Sequence, residues 1–457
     1  MSQKKSKNFL TERQFIFYGL NYIVGFGFIA TISNVISQGV WGILVFILTS
    51  LITLAVIFAF ARAGNKYQSE VGGSYAYAKK TFKKEMVFFQ GWNQISQIIL
   101  FSGTTPLFFS NLLTSFDPER KWIYVAISLV IYIGLILTSA FGFRLSKWFV
   151  FTTAIFKWLT LVIGFGLIIY LISESKSYGQ TFKTIAPFSV LSLSGSVLSF
   201  IYSYGGFESL ATISKNIETK RFKKLIILIF LIVISSYFIF YIIFLGLGPE
   251  YLANFGLEGV YKALWGSAGT SLFTIGLTFN RMSGAFSYVQ PQARFISPLA
   301  EDGFLPAFLA KKNKYNEYQN AIYLVVVVAI FSSLVFTIIP EILRIENSFN
   351  TILAAGNISF LVQYLLTIFT VLLWKWRKNE NIPVWEIIIY ILGMLTILFT
   401  LIFSQLPFIS SKEVTFEQFI PIISYAFAIL IGYIVKFSVQ LTKKRKKYKK
   451  VVNFLLI

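Results

Sequence analysis

Long apolar stretches separated by short polar segments recur along the whole chain of 457 residues. A membrane-spanning helix needs about 20 mostly apolar residues, and twelve stretches meet this requirement: approximately 15–38, 41–61, 88–113, 122–141, 148–172, 189–213, 225–247, 268–293, 320–339, 349–374, 385–406 and 418–439. The pattern predicts an all-α polytopic membrane protein with twelve transmembrane helices. Its single transmembrane domain would occupy residues 15–439, between an N-terminal segment, 1–14, and a basic tail, 440–457.

Two of the predicted spans are interrupted by glycine pairs. Gly25 and Gly27 flank Phe26 in the first span, and the sequence YSYGGFE occupies 202–208 in the sixth. An interrupted helix at membrane depth is tolerated only where its backbone is buried in protein or lines a cavity. Matching interruptions in two halves of a chain are typical of a transporter binding site built on inverted repeats. Alternatively, the glycines only allow neighbouring helices to pack closely.

The charges favour a membrane protein over a nucleic-acid-binding protein. The chain is 56% hydrophobic and only 13% charged, so its net charge of +22 does not come from a basic soluble domain. Of the 41 Lys and Arg residues, 32 lie in segments on one predicted side of the membrane. By the positive-inside rule, that side is cytoplasmic and contains both termini of a multi-pass protein of the cell membrane.

The chain has no Cys and no His. Disulfides, thiolate or imidazole metal ligands and a histidine proton relay are therefore excluded, and we expect neither a cofactor nor a metal. A membrane enzyme would need a nucleophile with a base, paired carboxylates or metal ligands. The sequence supplies little of this chemistry, so we predict that the protein is not an enzyme.

Three charged residues, Lys157, Glu208 and Arg281, fall inside predicted spans. A charge at the centre of a membrane helix costs roughly 2.5 to 3.5 kcal/mol on insertion scales, so each is a candidate functional residue. Lys157 lies about 15 Å along the helix from Lys147, too deep for its amine to reach the surface easily. Glu208 could instead be a structural partner of a nearby donor, and Arg281 could lie close to the outer surface.

Five motifs occur together in a specific order: VGFGFI at 24–29, GGSYAY at 72–77, GW at 91–92, YGGFE at 204–208 and RFISPLAEDGFLP at 294–306. Each motif alone is weak, but the five in sequence are specific. On these residues the chain resembles the amino acid/polyamine/organocation (APC) permeases over approximately residues 15–315. The family usually has a small residue where this chain has Phe26, a difference that should reshape the pocket.

The resemblance implies a five-plus-five inverted-repeat (LeuT-like) fold with broken helices one and six. The repeats would cover about 15–172 and 189–374, with two extra helices at 385–439. It also implies a secondary active transporter that moves an amino acid across the membrane by alternating access. A channel or membrane scaffold is the more distant alternative, and it would not need two helix breaks directed at one point.

The broken helices suggest how the substrate is held. Open half-helices present N–H groups at a positive dipole end and C=O groups at a negative end. We therefore expect the first break to bind the α-carboxylate and the second to accept hydrogen bonds from the α-ammonium group. The resemblance implies in addition that aromatic side chains close the pocket, since Tyr202 matches the position of an aromatic lid in the family. The predicted substrate-binding residues are Gly25, Phe26, Gly27, Tyr202, Ser203, Tyr204, Gly205, Gly206 and Tyr288.

Lys157 matches a lysine on helix five of proton-coupled members of the family. In sodium-coupled relatives, a sodium ion bridges helices one and eight beside helix five. The resemblance thus implies sodium-independent transport in which Lys157, with Glu208 as the second candidate, carries the proton. Burial disfavours the charged form of lysine, which would help the proton to leave. Alternatively, Lys157 stays charged in an amino acid or polyamine exchanger without net proton coupling.

Two further assignments concern specificity and lipid. A guanidinium group inside a span pairs well with a carboxylate, so Arg281 could contact an anionic substrate side chain. The basic tail, with its lysine- and arginine-rich run 443–450, would attract anionic lipids by about 1 kcal/mol per charge near the surface, or would simply fix the topology. No nucleic-acid partner is expected, and the oligomeric state is not predicted.

Overall fold

A computed structural model describes residues 11–67, 72–114, 117–139, 143–176, 187–212, 217, 219, 221–247, 256–314, 317–345, 347–377, 380–406 and 414–455. The described chain is dominated by α-helices. They are α1 (Glu12–Ile23), α2 (Phe26–Ile36), α3 (Gly42–Lys66), α4 (Ser74–Lys79), α5 (Lys84–Phe101), α6 (Thr104–Thr114), α7 (Lys121–Ser139), α8 (Phe143–Ser175), α9 (Val190–Phe200), α10 (Phe207–Thr212), α11 (Phe222–Phe244), α12 (Leu257–Glu301), α13 (Gln319–Ile342), α14 (Ser348–Trp376), α15 (Val384–Gln405) and α16 (Ile420–Leu455).

Nine helices of the described chain are long and apolar enough to cross a membrane, or ten if α1 and α2 count as one bent span. A helix occupies each of the twelve predicted stretches. The third stretch, however, is divided into α5 and α6, and α12, which contains the eighth stretch, is bent at Gly266 just before that stretch begins. Neither of these two stretches is among the nine or ten helices that are long and apolar enough to cross a membrane. The multi-pass helical architecture is therefore confirmed, whereas the twelve-span inverted repeat stays a prediction.

Both predicted interruptions are breaks in the helical backbone. The axes of α1 and α2 differ by 51° across Val24 and Gly25. In the other break, α9 passes into a 3₁₀ turn at Ile201–Tyr204, and α10 begins after the two glycines. Gly206 has a φ of +125°, a backbone conformation that side chains with a Cβ rarely adopt. The local sequence therefore explains where the second helix opens.

The two breaks lie against each other in the interior. A Cβ atom added to Gly27 would be 2.8 Å from the Tyr202 carbonyl oxygen, so only glycine allows this approach. Behind the contact, Phe28 stacks on Tyr237 with ring centroids 4.3 Å apart. The Tyr237 hydroxyl donates to the carbonyl oxygens of Ile23 and Ser203. One tyrosine of α11 thus joins the ends of both breaks.

The motifs at 72–77, 91–92 and 294–306 also meet in three dimensions. The Tyr75 hydroxyl, in α4, donates to the Asp302 carboxylate at 2.5 Å, after the end of α12. Burial, together with this carboxylate, raises the pKa of Tyr75, so the phenol remains a donor. A Cβ at Gly91 would lie 2.6 Å from the Tyr75 ring and 2.8 Å from Leu299. Close packing therefore explains the glycine of the GW pair.

Candidate functional site

A cavity of about 120 Å³ lies between the two helix breaks. A single water molecule needs roughly 10 to 15 Å³ measured in this way, so the cavity can hold several waters or a small solute. Its lining combines both breaks with side chains of α5, α7, α8, α12 and α14. The cavity is therefore formed by the whole helical bundle and not by one local motif.

The first break is held open by side chains from distant helices. In a continuous helix, the Asn21 carbonyl would accept from the amide of Gly25, but α1 ends at Ile23. The Lys157 ammonium group, from α8, donates to this carbonyl at 2.5 Å and to Asn21 Oδ1 at 3.1 Å. On the other side of the break, the Phe26 amide donates to Asn280 Oδ1, from α12, at 3.1 Å. Three helices therefore meet at this break.

The second break is closed mainly by the residue that follows it. The Gly206 amide donates to both carboxylate oxygens of Glu208 at 3.0 Å. The Tyr364 hydroxyl, from α14, donates to the same carboxylate at 3.1 Å. Glu208 is 4% exposed, and its negative charge lies at the N-terminal end of α10, where the helix dipole favours it. This carboxylate therefore has several donors.

Aromatic rings form one wall of the cavity. The Tyr202 ring packs against Phe101 with centroids 5.0 Å apart and meets the Phe26 ring edge-on at 6.3 Å. Phe26 is also held edge-on by Phe108 at 5.2 Å. The guanidinium carbon of Arg281 lies 4.3 Å from the centroid of the Phe26 ring, within the range of a cation–π interaction. Phe26 thus supports a cation in the cavity.

Three lining side chains carry buried polar atoms without a hydrogen-bond partner in the part of the chain that the structure describes. They are Asn280 Nδ2, Arg281 Nε and Gln292 Oε1. Asn280 and Gln292 are only 5% and 3% exposed. Buried polar atoms are usually satisfied, so a group of unsatisfied ones indicates a missing partner such as water or a ligand. The cavity therefore has the polar character of a binding site.

The structure brings most of the predicted site residues together. Nine of them line the cavity, namely Gly25, Phe26, Gly27, Tyr202, Gly205, Gly206, Lys157, Glu208 and Arg281. Ser203 and Tyr204 are not among its lining residues. The Ser203 hydroxyl donates to the Phe200 carbonyl at 2.7 Å, and Tyr204 packs against Phe200 and Tyr237. Tyr288 lies in α12, and its side chain is outside the described residues.

Sequence reasoning missed Asn21, Asn280 and Gln292 as members of the site. An amide side chain inside an apolar span is expensive unless it has partners, so Asn280, next to Arg281, carried a usable signal. Asn21 gave a weaker signal because it precedes the break by one helical turn. Among the described residues, no group of three or more Asp, Glu, His or Cys side chains could hold a metal ion.

A second and larger cavity, of about 560 Å³, lies at the far end of α2. Its lining is rich in hydroxyl and amide side chains from α2, α9, α14 and α15. Hydrogen bonds cross between the helices at this end, with the Asn34 amide donating to Ser199 at 2.7 Å and to Asn350 at 3.3 Å. Gly27 lines the first cavity and Asn34 lines the second, so the two cavities are separated by roughly 10 Å of helix.

A bundle of apolar helices in which two interrupted helices enclose a polar cavity has the architecture of a membrane transporter. Comparison with known proteins identifies the family. The family model described as "Amino acid permease" matches residues 10–434. The chain therefore belongs to the amino acid permease family of the APC superfamily, and the predictions of a transporter and against an enzyme are confirmed.

Related proteins extend over the whole chain. An uncharacterized protein of Mycoplasma genitalium is 30% identical, with 96% of each chain covered. A second uncharacterized protein of that organism is 29% identical over 99% of both chains. An uncharacterized transporter of Mycobacterium bovis is 25% identical, covering 66% of this chain and 68% of its own length. The names of these relatives specify no substrate.

Proposed function

We propose that this permease is a secondary active transporter that moves an amino acid across the cell membrane by alternating access. We further propose that protons drive the transport, that sodium does not take part, and that both termini are cytoplasmic. The observation that carries this proposal is the bridge made by Lys157. Lys157 is 2% exposed, and its ammonium group joins α8 to the carbonyl oxygen freed at the end of α1.

The bridge supports proton coupling because it depends on the charge and donors of one amine. A protonated lysine has three N–H donors, and two of them are directed at Asn21. Loss of the proton would remove the positive charge and weaken both bonds, allowing α1 to move relative to α8. An ammonium group in this position also supplies the positive charge that a bound cation would otherwise supply.

The first turn of α2 supports binding of the substrate carboxylate. Its amide groups lack intrahelical acceptors, as at the start of any helix, and the positive end of the helix dipole favours an anion. The Phe26 amide is used by Asn280, which leaves the following amides for the ligand. Carbonyl oxygens and the Glu208 carboxylate at the second break are suited to the substrate's ammonium group.

The second cavity supports alternating access. It opens to the face that the positive-inside rule predicts to be external, and hydrogen bonds among Asn34, Ser199 and Asn350 close the space between α2, α9 and α14. Connecting the two cavities would require these bonds to break and the buried packing around Phe28 and Ile32 to separate. In the proposed cycle, the external side is closed in one state and the cytoplasmic side is closed in the other.

Uptake into proteoliposomes tests the proposal. Purified protein should accumulate a radiolabelled amino acid under an imposed inward pH gradient when all sodium is replaced by choline. The Lys157→Ala variant should lose this accumulation while retaining a folded, monodisperse profile. Lys262→Ala is the matched control, because Lys262 is exposed near the start of α12, and it should transport normally.

Three outcomes would contradict parts of the proposal. Uptake that requires sodium, or full pH-driven accumulation by Lys157→Ala, would refute the coupling assignment. Accumulation that requires a counter-substrate inside the vesicle and ignores the pH gradient would favour the exchanger. Uptake that is not saturable and shows no counterflow would favour a channel.

A further inference from the structure

Charge is unbalanced in the cavity between the helix breaks. Its described lining contains two cations, Lys157 and Arg281, and a single carboxylate, that of Glu208. Burying an unpaired charge is costly, so such a site usually acquires an opposite charge. The identity of the unpaired group shows where a negative charge would bind.

Two of the three charged groups already have partners. Lys157 donates to both oxygens of Asn21 and lies 5.5 Å from the Trp158 ring. Glu208 accepts from the Gly206 amide and the Tyr364 hydroxyl. Protonation of Glu208 would remove the negative charge of this lining and would increase the net positive charge of the cavity. Each of these two charges therefore has hydrogen-bond partners, although all of the partners are uncharged.

Arg281 is the cation of the described lining that has an unsatisfied buried donor. Within the described chain it forms no ion pair, and its buried Nε atom has no acceptor. The Phe26 ring beneath it supplies a π face but accepts none of the directional bonds that a guanidinium group can donate. A guanidinium group offers five N–H donors in a planar fork that matches a carboxylate.

The ring of Phe26 also makes the position of Arg281 specific. Phe26 is held edge-on by Phe108 and Tyr202, so the surface under the guanidinium group is fixed by packing. A cation held against a rigid ring loses less freedom when it binds an anion than a mobile side chain does. The aromatic residue that replaces the small residue usual in the family thus prepares Arg281 for a ligand.

Nearby polar atoms fit an amino acid with a second carboxylate. The unpartnered Nδ2 of Asn280 adds a donor beside Arg281, and the unpartnered Oε1 of Gln292 adds an acceptor. The first turn of α2 is a separate place for the α-carboxylate. We propose that the permease selects acidic amino acids, whose side-chain carboxylate binds Arg281 on its Phe26 support. This inference rests on the proposed function.

Matched pairs of ligands test this specificity. Binding of glutamate, glutamine, aspartate and asparagine to the purified protein should be measured by calorimetry, and uptake of the same four in proteoliposomes. Each acid differs from its amide in charge but hardly in size. A hydrogen-bonded charge contributes about 1.5 to 3 kcal/mol, so we expect the acids to bind about 10- to 100-fold more tightly.

Variants assign this preference to Arg281. Arg281→Gln should reduce the acid-to-amide ratio to about one while glutamine still binds. Arg294→Gln is the matched control, because Arg294 lies on the same helix and is not among the described lining residues; it should retain the ratio. If Arg281→Gln fails to fold, Phe26→Leu keeps the guanidinium group without its aromatic support and should reduce the ratio in part.

Each other result rejects the proposal or separates it from the proposed function. Equal binding of glutamate and glutamine by the unmodified protein overturns it, as does an Arg281→Gln variant that keeps the preference. If Arg281→Gln weakens the binding of acids and amides equally, Arg281 holds the α-carboxylate, and the proposed acid selectivity is overturned. If no amino acid is transported but glutarate binds through Arg281, the anion site stands and the amino acid function fails.

Discussion

The two helix breaks meet the same physical requirement with different partners. At the first, backbone groups freed by the interruption bond to side chains from α8 and α12, which are 136 and 254 residues away in the sequence. At the second, the Gly206 amide bonds to Glu208, two residues away, while Tyr364 of α14 and Tyr237 of α11 each add one hydrogen bond. The first break is therefore assembled by tertiary contacts and the second largely by its own sequence.

This difference has a mechanical consequence. Any movement of α8 or α12 relative to α1 changes the hydrogen bonds of the first break. The second break keeps its main bond when neighbouring helices move, because donor and acceptor belong to the same short segment. We infer that the first break is the more mobile half of the site and that the second is the more rigid half. Four experiments test this comparison.

The largest effect is expected from side chains that are too large for the close contact between the two breaks. Gly27→Val and Gly206→Val should each abolish uptake while the protein still folds. A Cβ at Gly27 would be 2.8 Å from the Tyr202 carbonyl, and one at Gly206 would be 2.7 Å from the Tyr22 ring on a backbone of positive φ. Gly166→Val, in α8, is the control, since no atom lies within 4 Å of its added Cβ. Undiminished uptake in both site variants would reject the site.

A smaller loss is expected when the first break loses its partner from α12. Asn280→Leu keeps a similar size but leaves the buried Phe26 amide without an acceptor, which costs about 1 to 3 kcal/mol. Uptake should fall about tenfold, because the open form of the break is no longer stabilised. Asn320→Leu, in α13, controls for the loss of an amide group elsewhere. Normal uptake by Asn280→Leu would show that the first break does not depend on tertiary partners.

Removing the aromatic wall should affect affinity more than turnover. Tyr202→Ala deletes the ring that packs against Phe101 and Phe26. Since an aromatic pair contributes about 0.5 to 1.5 kcal/mol, the apparent KM should rise about fivefold. Tyr204→Phe should leave KM unchanged, because Tyr204 packs beside Phe200 and Tyr237 and is not among the lining residues. An unaltered KM in Tyr202→Ala would remove Tyr202 from the substrate contacts.

The smallest effect is expected at the second break, whose main hydrogen bond is local. Tyr364→Phe removes one donor to Glu208 and leaves the Gly206 amide in place. The loss of about 1 kcal/mol should lower the melting temperature by about 2 °C or less and change uptake by less than about twofold. A larger defect than that of Asn280→Leu, measured in the same vesicles, would reverse the comparison between the breaks.

Several features of this protein followed from the sequence because their signals are local. An apolar stretch of span length predicts a membrane helix whatever its neighbours are. Glycines at 25, 27, 205 and 206 marked the interruptions, because a helix in hydrocarbon rarely opens elsewhere. Lys157, Glu208 and Arg281 stood out because a charge inside a span is expensive. All three charges line the cavity.

The tertiary structure decided which groups meet. Ser203 and Tyr204 belong to the predicted second break, yet the 3₁₀ turn directs them into the core. There the Ser203 hydroxyl donates to the Phe200 carbonyl, and Tyr204 packs against Tyr237. No local pattern indicates the rotation of that turn, since each of its residues is compatible with either face. Similarly, the bonds from Lys157 to Asn21 and from Phe26 to Asn280 depend on how three helices pack. Sequence determines the cost of each buried polar group, and the fold determines its partner.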